Sequence, residues 1–158
     1  MSSTDELTKR ILVLEHMEEI KRLQAEYAAA CDDKYNPKKM EKLFTVDAIW
    51  DGGKYFGKHG NRKEICDFFA GVSGNILYAL HYILMPSIHV EGNIAKGRWY
   101  LWMIATMKEQ GAIWGAGVYA DKYEKIDGRW FIKEKLLDLQ VFTKFEDGWH
   151  KKPFSGVE

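Results

Sequence analysis

The chain has 158 residues, 23 basic side chains against 23 acidic, and a 14 % aromatic content that includes 6 Trp. Balanced charge with no basic stripe argues against nucleic acid as a partner, because that affinity rests on clustered Lys and Arg. No apolar run approaches the ~20 residues a membrane span needs, residues 1–10 are polar and charged, unlike a signal peptide, and Cys31 and Cys66 fit no metal or redox spacing. The expectation is a soluble cytoplasmic protein of one domain over residues 1–158, with 1–17 as an N-terminal helical extension and 145–158 as a loose polar tail. Such a chain buries roughly two-thirds of its unfolded surface, enough for a core and a cavity. Aromatic excess fills cores, and it also lines apolar ligand pockets.

In chain order, Ser3 to Asp32 reads as helical, opened by a Ser3/Glu6 capping box. Ile20, Leu23, Tyr27 and Ala30 form its apolar stripe. Its length predicts a break near residues 15–18. Asn36-Pro37 opens a second helix running to about Phe44. Residues 46–51 read as a strand turned by Gly52-Gly53, with 54–57 as its partner. Asn61 and Glu64 cap a third helix whose stripe is Ile65, Phe68, Phe69 and Val72. Residues 77–91 read as a strand that Pro86 confines to an edge or a bulge. Three long strands follow, 97–107, 113–126 and 130–142, hinged at Glu109-Gln110-Gly111 and at the hairpin signal Asp127-Gly128. The first is apolar on both faces, Trp99, Leu101, Met103 and Met107 against Tyr100, Trp102 and Ile104. Both faces are therefore expected to be covered, one by a core or pocket and the other by helices or a second subunit. Helices followed by long antiparallel strands describe an α+β domain.

His16, His59 and His150 read as surface residues. His81 lies in the apolar run Leu77-Tyr78-Ala79-Leu80-His81-Tyr82-Ile83-Leu84 and reads either as a satisfied core residue or as a functional one. His81 and His89 fall on one strand face yet about 26 Å apart at ~3.3 Å per residue, too far to share a metal. Asp32 and Asp33 close a helix at the end where carboxylates oppose its dipole. A carboxylate on one imidazole nitrogen fixes the tautomer and leaves the other as general base, so Asp32 with His81 would abstract a proton beside a leaving group. Tyr27, on the same helix, could assist. No nucleophile elbow, P-loop or dinucleotide fingerprint is present. Gly115-Ala116-Gly117 lies within a strand and marks a bulge or room for a ligand.

The runs Gly97-Arg98-Trp99-Tyr100-Leu101 and Asp121-Lys122-Tyr123-Glu124-Lys125-Ile126-Asp127-Gly128, followed by Trp130, resemble the SnoaL-like branch of the nuclear-transport-factor-2-like superfamily. That branch includes bile-acid 7α-dehydratase and, more distantly, scytalone dehydratase and hexachlorocyclohexane dehydrochlorinase. The likeness spans roughly residues 18–142. It implies a cone-shaped α+β barrel, a curved, mostly antiparallel sheet wrapped over about three helices around an apolar pocket. It also implies a homo-oligomer, a trimer packed through the outer sheet face or a dimer. The family's catalytic Asp–His dyad falls on Asp32 and His81, with Asp33 one step off register, and its tyrosine on Tyr27. Leu139 stands where the bile-acid enzymes carry Arg. Trp99, Gly117 and Tyr119 replace polar groups of scytalone dehydratase, whose two active-site tyrosines would fall near Cys31 and Asp51. The resemblance thus implies a dry, aromatic site for a small hydrophobic cyclic substrate, shaped by Trp50, Phe69, Trp99, Trp114, Tyr119 and Leu139.

Together these readings predict a metal- and cofactor-independent lyase that performs β-elimination on a cyclic or aromatic hydroxylated compound. His81 is its base, Asp32 orients the imidazole, and Tyr27 assists the leaving group. An isomerase or cyclase using the same base is a second reading. A non-catalytic module for a hydrophobic ligand is a third.

Overall fold

The computed structural model describes residues 3–155. Helix α1 (Ser3–Asp32) is continuous. The expected break is absent because residues 3–32 contain no Gly or Pro, and a Lys21–Glu18 pair at 2.5 Å braces the middle. Ser3, read as a cap, is itself helical. The first half of α1 exposes Leu7, Ile11 and Leu14, and the second buries Ile20, Leu23, Gln24, Tyr27, Ala30 and Cys31. Lys34 (φ 54°) and Tyr35 (φ 52°) then turn the chain through the left-handed region. Asn36 caps α2 (Pro37–Met40) by accepting from Lys38 N–H. That helix stops four residues before Phe44, which opens strand β1 (Phe44–Asp51).

The segment expected to pair with β1 is a helical turn, α3 (Gly53–Phe56), and pairing passes to β2 (Lys58–His59), with Trp50 opposite His59. Gly53 and Gly57, at φ 63° and 73°, set that turn in backbone conformations that side-chain-bearing residues rarely adopt. Helix α4 (Arg62–Ser73) is capped by Asn61 and buries Ile65 and Phe69. Strands β3 (Ile76–Glu91), β4 (Ile94–Met107), β5 (Gly111–Ile126) and β6 (Arg129–Lys144) form the expected meander. The six-stranded sheet has the order β2-β1-β6-β5-β4-β3. Only β1 with β6 is parallel. The curved, unclosed sheet wraps its concave face around α1 and α4 as an α+β cone, as expected.

Bulges decide which side chains face inward, because one extra residue flips every later one to the other face. In the edge strand β3 the register shifts between Leu84 and Ser87, around Pro86, and Met85 sits at φ 52°. His81 therefore faces in, while beyond the bulge Ile88 and Val90 face in and His89 faces out, so the two histidines do not share a face. In β6 an extra residue, Lys133, separates the Ile132–Tyr123 and Glu134–Lys122 partners. Trp130 and Ile132 point inward before it, and Lys135 and Leu137 after it.

The outer face of β4 is largely open: Tyr100 is exposed, and Trp102 and Ile104 are half-buried. Trp102 and Trp114 contact Trp149 of α5 (Gly148–Lys151) at ring-centroid distances of 6.3 and 6.1 Å. Of the tail expected to be loose, residues 145–155 are held in place, with Ser155 N–H donating to Phe142 O at 2.7 Å and Ser155 buried, while 156–158 lie outside the described residues. No described helix is long and apolar enough to cross a membrane.

Candidate active site

Asp32 ends α1 and His81 sits in the middle of β3. One Asp32 oxygen, Oδ1, accepts the His81 backbone N–H at 2.9 Å and lies 2.8 Å from His81 Nδ1. The backbone contact sets the height of the carboxylate on the strand, and the ring contact sets its angle. A carboxylate only accepts, so Nδ1 carries the proton and Nε2 keeps its lone pair. The Tyr35 hydroxyl lies 2.9 Å from that Nε2. Burial pushes the Tyr35 phenol well above its usual range, with Cys31, Tyr119 and Asp32 adding to the effect. Tyr35 therefore donates to Nε2, selecting the same tautomer that Asp32 selects. Its ring stacks on Phe69 at 5.0 Å and meets the imidazole edge-on at 5.5 Å. Asp33 is outside this arrangement, paired on the surface with Lys39 at 2.9 Å.

His81 and Tyr35 open onto a cavity of about 60 Å³ inside the cone. Its wall is aromatic and aliphatic, and of the residues named from sequence it includes Tyr27, Trp50, Phe69, Tyr119 and Leu139. Ligand cavities are commonly about 300–1,000 Å³, so this one is small beside a typical ligand site. Two expectations need correction. Trp114 lies on the outer face, because its neighbours Ile113 and Gly115 take the inner positions on β5. Trp99 does face inward, but it lies outside the cavity wall and donates to Tyr123 OH at 2.9 Å. His16 and His59, read as surface residues, are half-buried, His16 against Trp130 and His59 stacked on Phe68 at 4.2 Å.

Polar atoms at the cavity are few. Trp50 Nε1 donates to Tyr27 OH at 3.1 Å. Burial raises the Tyr27 phenol well above its usual range, with contributions from Cys31, Tyr119 and Tyr35 and a small opposing one from Trp50. Burial likewise raises Tyr119 and the Cys31 thiol. These groups are neutral hydrogen-bond donors across the physiological range. Behind them lies Lys135, fully buried against Asp121 at 2.8 Å. Sequence reading missed both Tyr35 and Lys135. The available signal for Tyr35 was Asn36-Pro37, which forces a tight turn just after the helix end; Lys135 stands in the charged run Lys133-Glu134-Lys135, where strict alternation offers no signal for it. Among the described residues no three His, Cys, Asp or Glu side chains converge as metal ligands do.

The model of the SnoaL-like domain matches residues 13–135, most of the chain. The chain belongs to the SnoaL-like family. Solved structures carry the likeness further along the chain. A scytalone-dehydratase-like protein of Novosphingobium aromaticivorans is 24 % identical, with a TM-score of 0.77, covering 84 % of this chain and 89 % of its own. The hexachlorocyclohexane dehydrochlorinase LinA-type3 of Novosphingobium barchaimii is 20 % identical, with a TM-score of 0.71, covering 99 % and 97 %. A nuclear-transport-factor-2-like superfamily protein of Salmonella enterica is 19 % identical, with a TM-score of 0.71, covering 83 % and 95 %. At such identities the likeness establishes the fold; what this SnoaL-like domain does must be argued from its own cavity.

Proposed function

We propose that the protein is a lyase that performs β-elimination on a hydrophobic cyclic or aromatic hydroxylated small molecule, with His81 as general base and no metal or cofactor in the reaction. The observation that carries this reading is the Asp32–His81 contact at 2.8 Å, with Nε2 directed at an apolar cavity. Tyr35 yields its bond to Nε2 when substrate enters, and Nε2 takes the proton on the carbon next to the one bearing the leaving group. The C–H electron pair forms the double bond as the C–O bond breaks. The proton leaves with the departing oxygen as water, so His81 ends neutral. Asp32 holds the imidazole and offsets the charge it briefly carries. Tyr27 donates a hydrogen bond to the oxygen on which charge builds. The dehydratase-like and dehydrochlorinase relatives support this chemistry, since both are named for eliminations.

The outer face fits a homo-oligomer. Tyr82, Leu84 and Tyr100 are exposed there beside Trp102 and Trp114, and apolar side chains grouped on an open face suit a subunit contact. Isomerisation would use the same base and is separated from elimination by product mass. The test is a mass-spectrometric screen of wild type and His81→Ala against hydroxylated steroids, bile-acid thioesters and lignin-type aromatics. A product lighter by one water, made only by wild type, supports the lyase. A product of unchanged mass makes the protein an isomerase. A compound bound by both proteins and consumed by neither makes it a binding module.

A further inference from the structure

From Ser3 to Glu15 every residue of α1 is exposed. A solvated helix gains little from propensity alone, because most helical stability in proteins comes from packing one face. This segment nevertheless carries Leu7, Ile11 and Leu14, which are 54, 47 and 61 % exposed. Their spacing is i, i+4, i+7. Counted at about 100° per residue, they form a stripe about 60° wide. The same count puts the buried residues of the second half, Ile20, Leu23, Tyr27 and Cys31, about 160° round the helix. The stripe therefore turns away from the domain, and neither its own sheet nor α4 can bury it.

Width, residue type and charge together identify the partner. A helix that lies on a globular core shows an apolar face about 100° wide or more, and a narrower stripe is the seam of a coiled coil. Leu7 and Leu14 stand at d positions of a heptad, with Ile11 at the a position between them and Thr4 at the a position before. Leucine at d with a β-branched residue at a favours two strands. Arg10 then falls at g and Glu15 at the following e. In a parallel pair g meets the e position five residues on. Arg10 thus meets Glu15 of the partner subunit, and the same contact repeats across the seam. An antiparallel pair with Leu7 against Leu14 of the partner subunit brings two arginines together instead. The next seam positions, Glu18 and Lys21, bind each other at 2.5 Å and end the apolar run.

We propose that residues 4–14 of α1 pair, in parallel and in register, with the same residues of a second copy of this chain as a short two-stranded coiled coil. The domain side of each helix is nearly opposite the seam, so the two domains stand on either side of one axis without meeting. This contact goes beyond the elimination reading and does not depend on it. It is also separate from the outer sheet face, which it leaves open.

The test is the molar mass by light scattering at about 100 µM protein, a concentration suited to a contact this small. It is run in a Trp102→Glu background, so that the sheet face does not hold copies together. The seam predicts twice the mass of one chain. Ile11→Glu changes an exposed site, so the fold read by circular dichroism stays intact; it weakens the dimer about a hundredfold or more and leaves monomer. Arg10→Glu weakens it several-fold at low salt, and Arg10→Glu/Glu15→Arg, which exchanges the charges, restores it. Leu14→Cys in a Cys66→Ser chain gives a disulfide-linked dimer on mild oxidation, because parallel, in-register helices set the two positions side by side. Monomer in the parent, a mass indifferent to Ile11→Glu, or no disulfide through Leu14→Cys overturns the proposal. Flotation with phosphatidylcholine–phosphatidylglycerol vesicles that Ile11→Glu abolishes without a change of mass also overturns it, and gives the stripe to a lipid surface.

Discussion

Raising the pH probes how dry the cavity is. Burial pushes the phenols of Tyr27, Tyr35, Tyr119 and Tyr123 well above the ordinary value of 10.0. Each therefore adds stability that is fully present below pH 10 and is lost as the pH rises towards its folded-state value, because the unfolded chain ionises first. Over that interval each phenol costs the fold about 1.4 kcal/mol per pH unit, and the four together about 5.5. Cys31, raised by burial from its ordinary 9.0, adds a fifth such slope. Lys135, which burial lowers from 10.5, works the other way only below that value and offsets none of these slopes at higher pH. Against a total stability of about 5–15 kcal/mol, alkaline unfolding falls within roughly one to three pH units above 10. The assay follows tyrosinate absorbance and far-ultraviolet circular dichroism together, with single Tyr→Phe variants to assign the signal. The expected result is that these four phenolates appear only in the step that destroys the circular dichroism, releasing several protons at once. Smooth ionisation of Tyr27, Tyr35 or Tyr119 in the folded protein would refute the reasoning that the cavity excludes water and that its phenols act as donors.

Three other outcomes follow from the same contacts. Tyr35→Phe keeps the stack on Phe69 and leaves His81 Nε2 without its protein donor, so thermal or urea unfolding should show a loss of about 1–3 kcal/mol. Turnover should stay within about threefold, since net hydrogen-bond contributions are small; a loss of a hundredfold would put the Tyr35 hydroxyl in the proton transfer itself. Gly117→Ala would place a Cβ 2.6 Å from Asp138 O and 3.2 Å from Leu139 Cα, backbone atoms that cannot swing away. The cost is about 1–3 kcal/mol, read as a lower melting temperature, and an unchanged melt would contradict the packing described at that bulge. Trp102→Glu puts a charge on the outer apolar face and should reduce the molar mass measured by light scattering; a mass unchanged from wild type would remove that face from any oligomer contact.

The meander was legible because hairpin signals and alternation are local. Asp127-Gly128 hinges β5 to β6, and Gly92 turns β3 into β4 at φ 59°. Pro86 announced an edge strand with a bulge for the reason that proline cannot donate to a ladder. Asp32 and His81 were found through chemistry and family likeness, and the fold then brought them together across 49 positions of sequence. What stayed hidden depended on bulges and on positive φ. Lys133 is the extra residue that flips Lys135 inward, and strict alternation would have sent Lys135 to the solvent. Tyr35 reaches His81 because Lys34 and Tyr35 both take left-handed conformations, which composition does not disclose. Trp114 was misplaced because β4 and β5 are apolar on both faces, so hydrophobicity could not say which side is in. The helical break was expected from length alone, and no residue in α1 supplies one.

The central claim is that Asp32 makes His81 a base. Asp32→Asn keeps an oxygen for the His81 backbone N–H but removes the charge that holds the Nδ1–H tautomer and offsets the imidazolium. The decisive measurement is the single-turnover rate of Asp32→Asn on the substrate that the screen identifies, with binding of that substrate measured alongside. The account predicts a rate lower by about 10²–10⁴ with affinity nearly unchanged. An Asp32→Asn protein that turned over at the wild-type rate would contradict it.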